Sequence, residues 1–273
     1  MRAESLGLHA AYTYDHLSWR SFRDRPWFEA MASLAAAAVA TSTLRLGTLV
    51  TSPNFRHPVP LAKELLTLDD LSEGRLVVGI GSGGTGYDAG ALGAPPWAPA
   101  ERSARFREFT ALLDQLLTRV ETTSVGRYYS AHEVMRHPAP IAVPRPAFVV
   151  SALGRRAMEV AAEFGQGWVT TGVATHGAHP TTEAAVAGQV ADLDAALDAR
   201  GRPRSSIKRV LLDGFGDEPT LASVDAFVDV AGRYRALGFT ELVVHWPIPD
   251  SPFATDADVI ERIVTDGAAQ LDR

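Results

Sequence analysis

The sequence predicts an α/β protein made of repeated strand–helix units. Short apolar runs rich in β-branched residues recur along the 273 residues, and helical stretches with apolar residues three and four positions apart follow most of them. The strand candidates, such as LRLGTLV, RLVVGI, AFVVSA and ELVVHW, are hydrophobic almost throughout, which is typical of parallel strands covered on both faces. Both a barrel and a doubly wound sheet meet these conditions.

The elements follow in a regular order. Strands are predicted at His9–Asp15, Leu44–Val50, Arg75–Ser82, Ala147–Ala152, Gly167–Gly172, Arg209–Gly214 and Glu241–Trp246. Helices are predicted at Trp27–Thr41, Pro58–Ser72, Pro99–Arg119, Gly154–Phe164, Thr181–Arg200 and Val224–Leu237, with a last one from Asp256. Residues 121–146 lack a helical period and end in the proline-rich run HPAPIAVPRP, which indicates an excursion between units.

The start of the chain is unusual for a barrel. Arg2–Gly7 has the pattern of a helix end with Gly7 as its C-cap, immediately before the first predicted strand. A barrel would then lack its first strand. Either the start of the protein lies upstream of Met1, or the sheet has an open seam with unpaired edges.

Composition narrows the classes of function. The chain is 46% hydrophobic and 21% charged with a formal net charge of -6, so small-molecule partners are favoured over nucleic acid or an anionic membrane surface. It has no cysteine, which excludes disulfides, thiolate nucleophiles and cysteine-bound metals. No apolar run reaches the roughly 18 residues of a membrane span, and no signal peptide is recognised, so a cytoplasmic location is expected.

Candidate functional residues stand where strands end, because working groups of parallel α/β folds lie there. Asp15 and His16 place a carboxylate beside an imidazole that can exchange protons, although loop capping explains them equally well. His57 precedes the helix at Pro58 and is interpreted as a helix-entry residue. The turn Gly79–Gly86 could approach a phosphate or a ring closely, but it has neither the GxGxxG nor the GxxxxGK[ST] pattern.

Three later segments are also candidates. Ser151–Arg156 combines small residues with two arginines at a helix start, which suits a phosphate or simply a tight loop. His176 and His179 have a metal-like spacing without a nearby carboxylate and are interpreted as a solvated loop, so no metal site is predicted. His245 and Trp246 end the last strand and either line a pocket mouth or pack internally.

Taken together, these segments resemble the luciferase-like monooxygenase superfamily, particularly its branch that depends on the deazaflavin coenzyme F420. The resemblance extends from Arg2 to about Trp246. It rests on Tyr14-Asp15-His16, Gly47-Thr48 with Arg56-His57-Pro58, the run Asp69-Asp70-Leu71-Ser72-Glu73-Gly74-Arg75, Gly79-Ile80-Gly81-Ser82-Gly83, and the helix and strand of Ala157–Gly172.

The resemblance implies one TIM (β/α)8 barrel over residues 1–273, lacking its first strand, with the cofactor at the carboxyl ends of the strands. The cofactor ring would stack at Leu49 and Val50, joined by a cis peptide. Phosphate contacts would come from Gly81, Ser82, Gly83 and Gly84, and from Ala152, Leu153, Gly154 and Arg155. His16 matches the acid/base histidine, tuned by Asp15, and the substrate pocket would lie near Trp19, Trp168, His245 and Trp246.

The sequence also departs from the family pattern. Deazaflavin sugar dehydrogenases carry a glutamate where this chain has Gly84-Thr85, which argues against sugar-phosphate oxidation, and Gly165-Gln166-Gly167 replaces the usual Ala-Asp-Gly. The expected function is hydride transfer between coenzyme F420 and a small organic substrate. The alternatives are an FMN-dependent monooxygenase and a cofactor-binding barrel without turnover; a homodimer would cover an open seam.

Overall fold

All seven predicted parallel strands are present in the computed structural model, which describes residues 1–19, 22–172, 183–215 and 218–271. The chain divides into two compact units, Met1–Ser151 and Ala152–Arg273. No helix in these described ranges is long and apolar enough to cross a membrane.

The first unit is built on a parallel sheet in the order β1-β2-β3-β6. Its strands are β1 (Ala10–Thr13), β2 (Arg45–Thr51), β3 (Leu76–Ile80), β4 (Glu121–Val125), β5 (Ser130–Met135) and β6 (Ala147–Ser151). Its helices are α1 (Arg2–Ser5), α2 (Ala30–Ala40), α3 (Pro58–Leu71), α4 (Tyr87–Gly90) and α5 (Pro99–Thr118). Strand β3 is buried throughout, as its unbroken apolar sequence predicts.

Local sequence explains how the helices of this unit begin. The Glu29 side chain accepts a hydrogen bond from the Ala32 amide at 2.7 Å and caps α2. His57 accepts from the Val59 amide at 3.2 Å, and Pro58 stands at the first position of α3, so His57 is a helix-entry residue as predicted. Gly7 has a φ of +79° just after α1, which suits its predicted position at the helix end.

The predicted excursion contains a hairpin that the sequence did not reveal. Strands β4 and β5 pair antiparallel, and Glu108 of α5 accepts hydrogen bonds from the Tyr128 and Tyr129 amides at 2.7 and 2.8 Å. Most side chains of the two strands are exposed, so the apolar alternation that signals a half-buried strand is absent.

The second unit contains a parallel sheet in the order β7-β8-β9. The strands are β7 (Gly167–Thr170), β8 (Lys208–Leu212) and β9 (Glu241–Val243). The helices are α6 (Arg155–Phe164), α7 (Glu183–Asp198), α8 (Val224–Ala236), α9 (Ala257–Arg262) and α10 (Ala268–Leu271), with a 3-10 turn at Arg204–Ser206 and a π-helical turn at Ile263–Gly267. Strand β9 ends three residues earlier than predicted, which places His245 in the loop after it.

A buried carboxylate fixes the chain between the hairpin and β6. Asp69 is fully buried on α3, and its Oδ2 accepts hydrogen bonds from the amides of Ile141 and Ala142 at 2.7 and 3.1 Å. Charge-assisted bonds of this kind are stronger than neutral ones, and a buried donor that loses its acceptor is costly.

We therefore expect Asp69→Ala to lower the free energy of unfolding by about 2 kcal/mol, because two partly buried amides lose a carboxylate acceptor. Asp70→Ala is the matched control, since its side chain is exposed on the same helix, and it should cost less than about 0.5 kcal/mol. Urea denaturation measures both. Equal losses in the two variants would contradict the assignment.

Candidate active site

His16 lies just beyond the carboxyl end of β1, and its imidazole is hydrogen-bonded to a carboxylate 72 residues away in the sequence. Its Nδ1 is hydrogen-bonded to Oδ2 of Asp88, a side chain in α4 that is 5% exposed. The other oxygen of Asp88 accepts from the backbone amides of Leu17 and Ser18 at 2.8 and 3.3 Å. One carboxylate thus fixes both the imidazole and the loop that carries it.

The electrostatics of Asp88 determine which nitrogen of His16 is presented. Burial by itself would raise the pKa of Asp88, but the hydrogen bonds from His16, Leu17 and Ser18 lower it. Asp88 is therefore ionised at neutral pH and accepts the Nδ1 proton, which leaves Nε2 as the nitrogen available for proton exchange.

The carboxylate predicted to tune His16 has a different role. Asp15 is 2% exposed and accepts from Thr51 Oγ1 at 2.6 Å and from Arg56 at 2.7 and 3.0 Å. Arg56 also contacts Glu29 at 2.5 Å and Glu64 at 3.4 Å. Asp15 was predicted to tune His16, but the side chain hydrogen-bonded to the imidazole is Asp88. Arg56 engages both oxygens of Asp15 and ties the end of β1 to the loop after β2.

An aromatic cluster packs beside His16. Trp19 is 8% exposed and stacks on Tyr14 with ring centroids 5.0 Å apart, while the centroids of Trp19 and His16 are 6.3 Å apart. Trp27 lies 5.7 Å from Trp19, and its Nε1 donates to the backbone carbonyl of His16 at 2.9 Å. The predicted pocket residue Trp19 therefore lies beside His16, within a cluster of packed aromatic rings.

The end of β2 has the predicted backbone feature, since the Leu49–Val50 peptide is cis. The pairing register of β2 with β3 shifts between Thr48 and Thr51, on either side of that bond. A Cβ added to Gly81 would stand 2.7 Å from Cγ2 of Val50, so only glycine lets the two chains approach this closely.

In the glycine-rich turn after β3, Gly83 is packed against a neighbouring side chain, whereas Gly84 borders open space. Gly83 has a φ of +71°, and a Cβ there would lie 2.3 Å from Oδ1 of Asn54. Asn54 also donates to the carbonyl of Gly84 at 3.3 Å, a role that sequence reasoning missed. A Cβ on Gly84 would meet nothing closer than the Gly86 amide at 3.9 Å, so this part of the turn has room for a ligand. Ser82 directly precedes Gly83, and its hydroxyl donates to the Gly83 carbonyl at 3.3 Å.

In the second unit, Ala152, Leu153 and Gly154 form the loop between β6 and α6. Ala152 is buried and donates to the Val169 carbonyl at 3.3 Å. Gly154 is the N-cap of α6 without a side-chain cap, and nothing lies within 4 Å of where its Cβ would be. The side chain of Arg155 is 92% exposed and lies 3.8 Å from Glu159.

The remaining predicted pocket residues divide between core and surface. Trp168 is fully buried, donates from Nε1 to the Ala152 carbonyl at 2.8 Å and packs on Phe239, so its prediction as a pocket residue was wrong. His245 stacks on Phe253 with centroids 3.7 Å apart, and Trp246 is 41% exposed. His176 and His179 lie outside the described residues.

Asp88→Asn is expected to lower the free energy of unfolding by about 1–3 kcal/mol at neutral pH, because His16 and two backbone amides lose a charged acceptor. The lowered pKa of Asp88 means that this stability is present above the unfolded-state pKa of about 3.9 and is lost as pH falls through the folded-state pKa. The gap between wild type and variant in urea denaturation should therefore narrow on acidification.

The exposed Asp24 supplies the control, and Asp24→Asn should stay within about 0.5 kcal/mol of wild type. A gap for Asp88→Asn that is unchanged between pH 7 and about pH 3 would show that the charge of Asp88 is not what holds His16.

Comparison with known proteins agrees with this geometry. The chain is 36% identical over 175 residues to an F420-dependent glucose-6-phosphate dehydrogenase of Intrasporangium calvum; the match covers 63% of this chain and 52% of the relative. The chain thus spans about half the length of the curated relatives it matches.

Solved structures match over nearly the whole chain. An F420-dependent secondary alcohol dehydrogenase in complex with an F420-acetone adduct has a TM-score of 0.80 at 16% identity, covering 96% of this chain and 91% of that one. A monooxygenase from Streptomyces bottropensis has a TM-score of 0.74 at 22% identity, covering 98% and 89%. These matches show the fold, and the predicted class, a luciferase-like TIM barrel, is confirmed.

The family model described as luciferase-like monooxygenase matches residues 1–214. Its match covers well over half of the chain and includes β1 with His16, the cis peptide after Leu49 and the glycine-rich turn. The chain belongs to the luciferase-like monooxygenase family.

Proposed function

We propose that this protein is an oxidoreductase that transfers a hydride between coenzyme F420 and a small organic substrate, while His16 moves the accompanying proton. The observation that carries the proposal is the His16–Asp88 pair at the carboxyl end of β1, where TIM barrels place catalytic groups. The F420-dependent dehydrogenases named above support the choice of cofactor.

The residues present fit such a cofactor. Close packing of Gly81 on Val50 and of Gly83 on Asn54 fixes the turn, while the space beside Gly84 is open to a phosphate or ring edge. Leu49 and Val50 would support the ring, and the amides of Ser82, Gly83 and Gly84 would face its polar groups. The amide of Gly81 donates to the Thr51 carbonyl at 2.9 Å, so Gly81 would contact the cofactor through its backbone surface and not as a donor. Ala152, Leu153, Gly154 and Arg155 remain predicted contacts on resemblance alone.

Coenzyme F420, when bound, supplies the hydride donor or acceptor. The protein supplies a proton site at Nε2 of His16, oriented through Nδ1 by the ionised Asp88. Tyr14, Trp19 and Trp27 pack beside this imidazole and limit the access of water, which strengthens its interactions with a bound substrate.

An FMN-dependent monooxygenase is the second candidate, because a monooxygenase has the same fold. The two candidates differ in the cofactor that the barrel selects. The acidic composition supports a small-molecule partner rather than nucleic acid. A cytoplasmic location and a homodimer remain part of the proposal.

The cofactor and the role of His16 are tested together. We expect purified protein to bind F420 more tightly than FMN in fluorescence and thermal-shift titrations. With a substrate that supports turnover, His16→Asn should lower kcat about 10²–10⁴-fold with F420 affinity nearly unchanged, because the amide can still bond to Asp88 but cannot exchange a proton.

His9→Gln is the matched control, since His9 is exposed just before β1, and it should leave both quantities unchanged. Preferential binding of FMN would move the assignment to the monooxygenase. Full turnover in His16→Asn would remove His16 from the reaction.

The turn after β3 gives a separate binding test. Gly84→Ala should weaken F420 binding about tenfold or more without loss of stability, because its methyl group enters open space that the cofactor needs. Gly90→Ala is the matched control, because nothing lies within 4 Å of its added methyl group, and it should bind F420 like wild type. Unchanged affinity in Gly84→Ala would place the cofactor elsewhere.

A further inference from the structure

We propose that a cavity in the second unit, at the carboxyl ends of β8 and β9, binds a small organic amine as its ammonium ion. The cavity has a volume of about 260 Å³ and is lined by the loops that follow the two strands. The site is assigned from residues of the second unit alone. It includes His245, which the family resemblance places near the substrate pocket, but its assignment as an amine site does not rest on the proposed hydride transfer.

The loops that form the cavity are joined through the backbone. The amide of Asp213, directly after β8, donates to the carbonyl of Val243 at the end of β9, at 2.9 Å. The cavity is lined by residues of both loops, among them Asp213, Glu218, Thr220, His245 and Phe253. A Cβ on Gly214 would stand 2.6 Å from Nδ1 of His245, so glycine allows the imidazole to pack against this loop.

The charges around the cavity favour a cation. Among the described residues that line it there are two carboxylates, Asp213 and Glu218, and neither Lys nor Arg. Arg233 binds Glu218 at 2.8 and 3.1 Å, but it is shared with Asp229 at 3.1 Å and Glu183 at 3.8 Å. Arg233 compensates Glu218, whereas no Lys or Arg of the described residues pairs with Asp213, so the lining stays negative and would repel a phosphate or carboxylate ligand.

The histidine of the cavity adds no positive charge. Burial lowers the pKa of His245 to about 4, although a hydrogen bond to the Asp213 backbone carbonyl acts in the opposite direction. At neutral pH the ring is uncharged. Phe253 stacks on it at 3.7 Å with an interplanar angle of 9°, which provides an aromatic wall for the apolar part of an amine and for cation–π contact.

Size and donor geometry favour an organic cation. The cavity is smaller than the roughly 300–1,000 Å³ typical of sites for drug-sized ligands, so the ligand is small. The described residues contain no group of three or more His, Asp or Glu side chains placed to hold a metal ion. Burial raises the pKa of Asp213, and a cation beside this carboxyl group would favour its ionised form. An ammonium group can donate to the Asp213 carboxylate and to the Thr220 hydroxyl while its carbon body lies against Phe253.

The test uses three ligands of nearly equal shape on the full chain, namely benzylamine, benzyl alcohol and benzoate, with affinity measured by isothermal titration calorimetry. We expect benzylamine to bind about tenfold or more tightly than benzyl alcohol, and benzoate not to bind detectably. Asp213→Asn should weaken benzylamine about tenfold and leave benzyl alcohol nearly unchanged, whereas the exposed Asp192→Asn should change neither.

The comparison of the three ligands on the wild-type protein tests the proposal even if a variant fails to fold. Benzoate binding as tightly as benzylamine, equal affinity for all three ligands, or no binding of any of them would overturn the proposal. So would full benzylamine affinity in a folded Asp213→Asn. None of these measurements involves F420, so their failure is distinguishable from failure of the proposed hydride transfer.

Discussion

The close approach of β2 and β3 is the constraint on which the rest of the first unit depends. A Cβ on Gly47 would stand 2.1 Å from the Val77 carbonyl oxygen, and one on Gly79 would stand 2.1 Å from that of Thr48. Since any side chain would push the strands apart, both positions require glycine. The same spacing continues beyond the strands, where Gly81 packs on Val50 and donates to the Thr51 carbonyl at 2.9 Å. The turn and the cis peptide are thereby held side by side.

Two buried carboxylates, Asp15 and Asp88, have different structural roles at the end of β1. Asp15 pairs with Arg56 and accepts a hydrogen bond from Thr51, so it joins the end of β1 to the end of β2. Asp88 meets an imidazole and two amides, all of which can donate to it, so it orients His16. A buried charge is tolerated only when it is paired. Because Asp15 pairs with Arg56 and Asp88 with His16, the two carboxylates have different roles.

Sequence predicts those features that local patterns determine. The parallel strands follow from unbroken apolar runs, α3 from Pro58 after His57, and the cis peptide after Leu49 from family resemblance. Asp88 could not be found in this way, because it is 72 residues from His16 and the chain between them gives no local signal of the contact. Trp168 was misassigned because hydrophobicity alone does not distinguish a pocket wall from a core. Its buried hydrogen bond from Nε1 to the Ala152 carbonyl depends on the tertiary structure.

The two histidines at strand ends illustrate how their partners direct chemistry. His16 has an ionised carboxylate on Nδ1 and is 32% exposed, so a substrate can reach Nε2 and exchange a proton there. His245 is packed between Phe253 and Phe215, and its lowered pKa keeps it neutral throughout the physiological range. A neutral, buried imidazole serves as a fixed hydrogen-bonding and stacking surface rather than as a proton carrier. We therefore propose different roles for the same residue type after two strands of one chain, namely proton exchange for His16 in the first unit and ligand recognition for His245 in the second.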